Sequence, residues 1–203
     1  MLRGPTLDAA RRLLGARLVR DGPSPEPTRT GRVVEVEAYI GTDDLASHAR
    51  FGRTARNGVM FGPPGMAYVY LVYGMYHCLN VVTEPEGRAA AILIRAVEPV
   101  QGLAAMRAAR ARVRTPRATA AAARIASGPG LLCAVFGITR EDTGTDLLDP
   151  ASGLRIEIAA SPLPDERIGV TPRIGIDYAP EPWRGQPWRF VDRASDAVSG
   201  RRA

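Results

Sequence analysis

The chain has 203 residues, 45% of them hydrophobic, with a net charge of +6 and an isoelectric point near 10. That length fits one domain, 1–203, with a sizeable core, and the positive balance suits an anionic partner. All 27 basic side chains are arginine. Without lysine, covalent catalysis through a side-chain Schiff base is excluded, and only the α-amine of Met1 could replace it. Two cysteines, Cys78 and Cys133, make no disulfide framework, so the expected setting is reducing and intracellular. Arginines interrupt the first twenty residues, which do not read as a signal peptide, and the longest apolar runs are too short to span a membrane.

In chain order, "TLDAARRLLGARLV" reads as a short helix capped by Thr6, with Leu7, Ala10, Leu13 and Leu14 on one stripe. A Pro/Gly-rich loop follows at 21–31. "RVVEVEAY", 32–39, alternates as a strand, with Val34, Val36 and Ala38 on one face and Glu35, Glu37 and Tyr39 on the other. Residues 41–66 look irregular, with a short helix expected after the capping cluster Thr42-Asp43-Asp44. "AYVYLVYGMYHCLN" predicts two strands, 67–73 and 76–83, joined at Gly74. "AAAILIRAV", 89–97, reads as a buried strand, and Pro99 suits the start of a helix. The Ala/Arg-rich stretch 104–126 is predicted to be helical, broken at Pro116. Another helix starts at Pro129, and "LRIEIA" and "RIGVTPRIGI" read as late strands. The segment after Asp192 is expected to fray. The pattern predicts an α+β fold, a largely antiparallel sheet with flanking helices.

Glu37 and Tyr39 share a strand face, which puts a carboxylate beside an aromatic plate. That arrangement suits either a solvated face or a general base next to a stacking surface. His48 lies among Arg50, Arg53 and Arg56, either a solvated surface loop or phosphate contacts framing a pocket residue. His77 and Cys78 are adjacent on a strand and point to opposite faces, so no metal site is expected. The arginines of 103–126 could track a phosphate backbone or form a solvated helix face. In the tyrosine hairpin, Tyr68 and Tyr70 share a face. Tyr73 has the opposite parity and sits at the tip, where an exposed ring suits insertion between bases.

"VEVEAYIGTDDLASHARFGRTARNGVMF", "GMAYVYLVYGMYHCLNVV" and "AILIRAVEPVQGL" closely resemble the alkyladenine (3-methyladenine) DNA glycosylases. "SGPGLLCAVFGI" and "RIGIDYAPEPWRGQPWRF" match later motifs of that family, so the resemblance covers about 32 to 192. It implies a single domain with a curved, largely antiparallel sheet, flanking helices and a protruding hairpin. It implies removal of alkylated or deaminated purines from duplex DNA, with no cofactor. Glu37 matches the glutamate that activates water, and Arg95 an arginine that helps hold that water. Tyr39, His48 and Tyr70 match walls of the flipped-base pocket, and Asn80 matches a residue that screens purines. Tyr73 matches the wedge entering the minor groove. Arg50 and Arg53 are the expected contacts to the DNA backbone. Lacking lysine, the chain is expected to use water as nucleophile, leaving an abasic site without cutting the strand. The expected partner is damaged double-stranded DNA, bound by a monomer that is cytoplasmic, of bacterial type, and on the nucleoid when bound to DNA. Two other readings remain open: a non-catalytic nucleic-acid-binding module of the same fold, and an unrelated small-molecule hydrolase using Glu37.

Overall fold

The long strand that begins after the Pro/Gly-rich loop organises the molecule. In a computed structural model, which describes residues 2–23, 26–72, 74–113 and 121–200, that strand is β2, Arg29–Ile40. It is preceded by α1, Thr6–Leu13, and β1, Arg17–Arg20. β3, Ala67–Val72, and β4, Tyr76–Val82, form the hairpin, and β5 runs Ala90–Gln101. Then come α2, Leu103–Val113, and α3, Pro129–Phe136. The chain continues through β6, Leu154–Glu157, β7, Ile168–Thr171, and β8, Arg189–Asp192.

The eight strands form one sheet in the order β3-β4-β5-β2-β1-β6, with β7 and β8 branching from β2. Every pairing between named strands is antiparallel. β5 runs along one edge of β2 from Thr30 to Ile40. The other edge is divided, with β1 opposite Arg29–Arg32 and β8 opposite Glu35–Glu37. β2 is therefore covered on both edges over most of its length. The architecture is an α+β domain whose sheet curves into a half-barrel with flanking helices.

A bulge in β2 corrects the simple alternation expected there. The register with β5 shifts between Val33 and Val36, and an inserted residue turns the side chains that follow it. Val33 and Val36 enter the main core, while Val34 joins a separate cluster with Ala96, Val191, Ala197 and Val198. α1 packs Ala9, Ala10 and Leu13 into the main core. α3 adds Leu132, Cys133, Val135 and Phe136.

Several local readings change with tertiary contact. Thr6 does not cap α1: Pro5 is the cap residue, and the Thr6 hydroxyl donates to Glu84 Oε1 at 2.6 Å. A carboxylate from the β4–β5 connection thus satisfies the helix start. The helix expected after Thr42-Asp43-Asp44 is a 3-10 turn, His48–Phe51, capped by Ser47. Pro99 starts no helix. It lies in β5 opposite Gly31, at a register shift, where a missing N–H is tolerated. α2 begins only after Gly102, whose φ is +77°. Pro116, the expected helix break, lies outside the described residues.

Of the segment after Asp192, the described residues, 193–200, do not fray. Ala197 and Val198 are buried, and the Ser199 N–H donates to Glu35 Oε2 at 2.6 Å. Apolar burial and a charge-assisted bond hold a stretch whose composition alone looks loose. Val198→Ala should lower the unfolding free energy by about 2 kcal/mol in urea titration; a frayed segment would give no change.

Candidate active site

A cleft of about 430 Å3 opens where the β3–β4 hairpin, the end of β2, the His48 turn and the 174–178 loop meet. Tyr39, His48, Tyr68, Tyr70, Asn80 and Arg95 line it. The sheet brings these together because Asn80 of β4 pairs with Leu93 of β5, which pairs with Glu37 of β2.

Glu37 lies just beneath this lining, fully buried. That removes the solvated-face alternative. Its Oε2 accepts from the Tyr39 hydroxyl at 2.9 Å and from Arg95 Nη1 at 3.2 Å. Its Oε1 accepts from the Ile174 N–H at 2.7 Å. A carboxylate oxygen has about two acceptor directions, so Oε1 keeps one available among the described residues. Burial raises the Glu37 pKa above the ordinary carboxylate value, opposed by the Arg95 charge and the Ile174 N–H. The side chain is a strengthened base held by three groups that themselves face the cleft.

The walls are aromatic. His48 and Tyr70 meet edge to face with centroids 4.4 Å apart. His48 Nδ1 and the Tyr68 hydroxyl are 2.9 Å apart. Burial, then the Arg56 and Arg50 charges, push the His48 pKa down to about 4, so the ring is neutral near pH 7. Burial likewise raises Tyr70 well above its ordinary value and Tyr68 to about 12. Asn80 donates through Nδ2 to the Tyr68 carbonyl at 3.0 Å. Its amide is thereby oriented, and its Oδ1 accepts from no described residue.

Two arginines expected on DNA lie in and just after the His48–Phe51 turn. The Arg50 guanidinium lies 4.5 Å from the Phe51 ring and 5.1 Å from the Tyr178 ring. Arg53 is exposed, 5.9 Å from the Phe61 ring. Asn57 holds this loop by donating to the His48 and Gly52 carbonyls at 2.9 and 3.0 Å. At the hairpin end, Gly74 has a φ of +69° and Met75 is 69% exposed. Tyr73, the expected wedge, lies outside the described residues.

The chain's relatives now bear on this cleft. A family model described as Methylpurine-DNA glycosylase (MPG) matches residues 1–196. The chain belongs to that family. A protein of Methanocella arvoryzae, provisionally named a 3-methyladenine DNA glycosylase, is 50% identical over 97% of this chain and 92% of its own length. Similar proteins of Myxococcus xanthus and Bacillus cereus (strain G9842), with the same provisional name, are 46% and 45% identical. The alignments cover 96% and 97% of this chain, and 89% and 95% of those relatives. This membership supports a DNA glycosylase role in base excision repair.

Two residues at this cleft escaped the sequence reading. Tyr68 was placed on the same face as Tyr70 with no role in the pocket, yet its hydroxyl meets His48. Arg173 was read as part of a strand. It is fully buried, paired with Asp44 through bonds of 2.6 and 2.9 Å, and lies 4.7 Å from the Tyr39 ring. Asp44 neutralises the cation that stands against the Tyr39 ring. Only the Asp44–Arg173 contact across 129 residues reveals this.

Two outcomes follow for this cleft. Asp44→Ala leaves Arg173 buried and unpaired, and should cost about 3–5 kcal/mol of stability in urea titration. An NMR pH titration should place the His48 midpoint near 4 rather than 6.5. Because the folded value is the lower one, the unfolded chain binds the extra proton. The His48 contribution should therefore erode as pH falls from about 6.5 to about 4, and stay constant above that window.

Proposed function

We propose that this glycosylase family member flips alkylated or deaminated purines out of duplex DNA and hydrolyses their N-glycosidic bond with a water activated by Glu37. The observation that carries this reading is the buried, strengthened Glu37 beneath an aromatic cleft, with one oxygen still able to accept. Water attacks the sugar C1′ while the C1′–N bond breaks and its electron pair leaves with the purine. Glu37 takes the water proton, and its charge stabilises the oxocarbenium-like sugar. Arg95 helps hold the water. The products are a free purine and an abasic site.

Purines methylated at ring nitrogen carry positive charge. Stacked on Tyr39, His48 and Tyr70, such a base gains about 0.5–2 kcal/mol from cation–π attraction. A His48 held neutral does not repel it. Asn80 screens the purine edge, and Tyr73 fills the space the nucleotide leaves. Arg50 and Arg53 contact the backbone phosphates. With no lysine in the chain, there is no strand-cutting lyase step through a side-chain amine.

Single-turnover base release from duplexes carrying one defined lesion tests the reading. Glu37→Gln should lower release by ~10²–10⁴-fold while leaving damaged-duplex binding nearly intact. A wild type that binds but releases no base would instead be a non-catalytic DNA-binding module. Duplex affinity should fall steeply with salt as phosphate-bound counterions are displaced; a flat response would favour a small-molecule hydrolase.

A further inference from the structure

Beneath the cleft lies a second buried carboxylate that the reaction does not use directly. Glu35 is fully buried, two residues before Glu37 on β2. Its Oε1 accepts from Arg95 Nε at 2.9 Å, Arg189 Nε at 2.8 Å and the Ser199 hydroxyl at 2.9 Å. Its Oε2 accepts from the Ser199 N–H at 2.6 Å. Arg189 Nη2 also donates to the Ser199 carbonyl at 2.8 Å, and Arg95 Nη2 lies 3.4 Å from the Ser199 hydroxyl. Three chain segments thus close around one side chain.

Arg95 is the shared member. One guanidinium donates through Nε to Glu35 and through Nη1 to Glu37. A planar guanidinium has a fixed fork, so anchoring one edge sets where the other points. Ser199 is in turn kept in place by Val198, packed with Val34, Ala96 and Val191. We propose that Glu35 and the 195–199 segment form a positioning latch, in which Ser199 fixes Glu35, Glu35 fixes Arg95, and Arg95 fixes Glu37 against the cleft. The catalytic consequence rests on the glycosylase reading above; the mechanical coupling does not.

Ser199→Pro removes the N–H that donates to Glu35, and Ser199→Ala removes only the hydroxyl. Single-turnover base release should fall about 10–100-fold for Ser199→Pro, because small misplacements of reacting groups cost rates of that order. The loss for Ser199→Ala should be smaller. Duplex affinity should stay within about 2-fold, since Ser199 lies beneath the cleft rather than on its rim. Glu35→Gln gives a pH signature. Glu37 faces Glu35 and Tyr39 from β2, Arg95 from β5, the Ile174 N–H, Tyr70 from β3 and Cys78 from β4. Removing the Glu35 charge lowers the Glu37 pKa, so the acidic limb of the rate profile should move to lower pH.

A second readout does not depend on activity. The Arg95 Nε–H should exchange slowly in the wild type, and at least about 10-fold faster in Ser199→Pro, as a donor freed from a structural bond does. Folded Ser199→Pro protein with wild-type release and unchanged Arg95 exchange would overturn the latch. So would equal losses of duplex affinity and rate. If wild type itself releases no base, the glycosylase reading fails, and Arg95 exchange alone decides the coupling.

Discussion

Glu35 and Glu37 stand on one face of a strand that is buried over most of its length, and Arg95 bonds both. Two carboxylates this close in a low-dielectric interior repel unless a cation stands between them. Arg95 and Arg189 bring two positive charges to the two negative ones. Much of the surrounding structure serves that balance. β5 delivers Arg95, β8 delivers Arg189, and the segment after β8 delivers Ser199. Removing either side of a buried pair is costly, so strand pairing, cluster packing and cage formation are expected to be cooperative.

The cleft uses burial in two opposite ways. For Glu37, desolvation raises the pKa and strengthens the base. For His48, desolvation and two nearby arginines lower the pKa and keep the ring uncharged. One cleft thereby combines neutral aromatic walls with a buried base beneath its lining. The cation beside the Tyr39 ring is neutralised by Asp44. Arg53 and Arg56 remain exposed, and Arg56 lines the cleft beside Tyr70.

Some of this was legible in residue order. The strand parity of Glu37 and Tyr39 placed both on one face, and the structure joins them through a hydrogen bond. Gly74 and the flanking apolar residues marked the hairpin, and Pro129 marked the first turn of α3. Other features escaped for a common reason. The first helix, read through Val19, ends at Leu13, and Arg17–Val19 belong to β1 instead; β1 and β8 are four residues each, too short for periodicity to mark them as strands. The β2 bulge is a property of its pairing with β5 rather than of its own residues. The docked segment after Asp192 looks loose because its small and polar residues are satisfied by Glu35, Arg189 and a distant apolar cluster.

Composition by itself determined that no lysine amine is available and that the surface favours an anion, because residue type sets formal charge wherever a side chain lies. It also determined which side chains share a face along a strand, since that follows from backbone period. Only tertiary structure decided what those side chains experience. Glu37 has partners 58 residues away at Arg95 and 137 away at Ile174, and their approach converts a polar strand position into a buried base. Burial, field and hydrogen-bond count depend on what packs across the sheet, and residue order does not carry those distances.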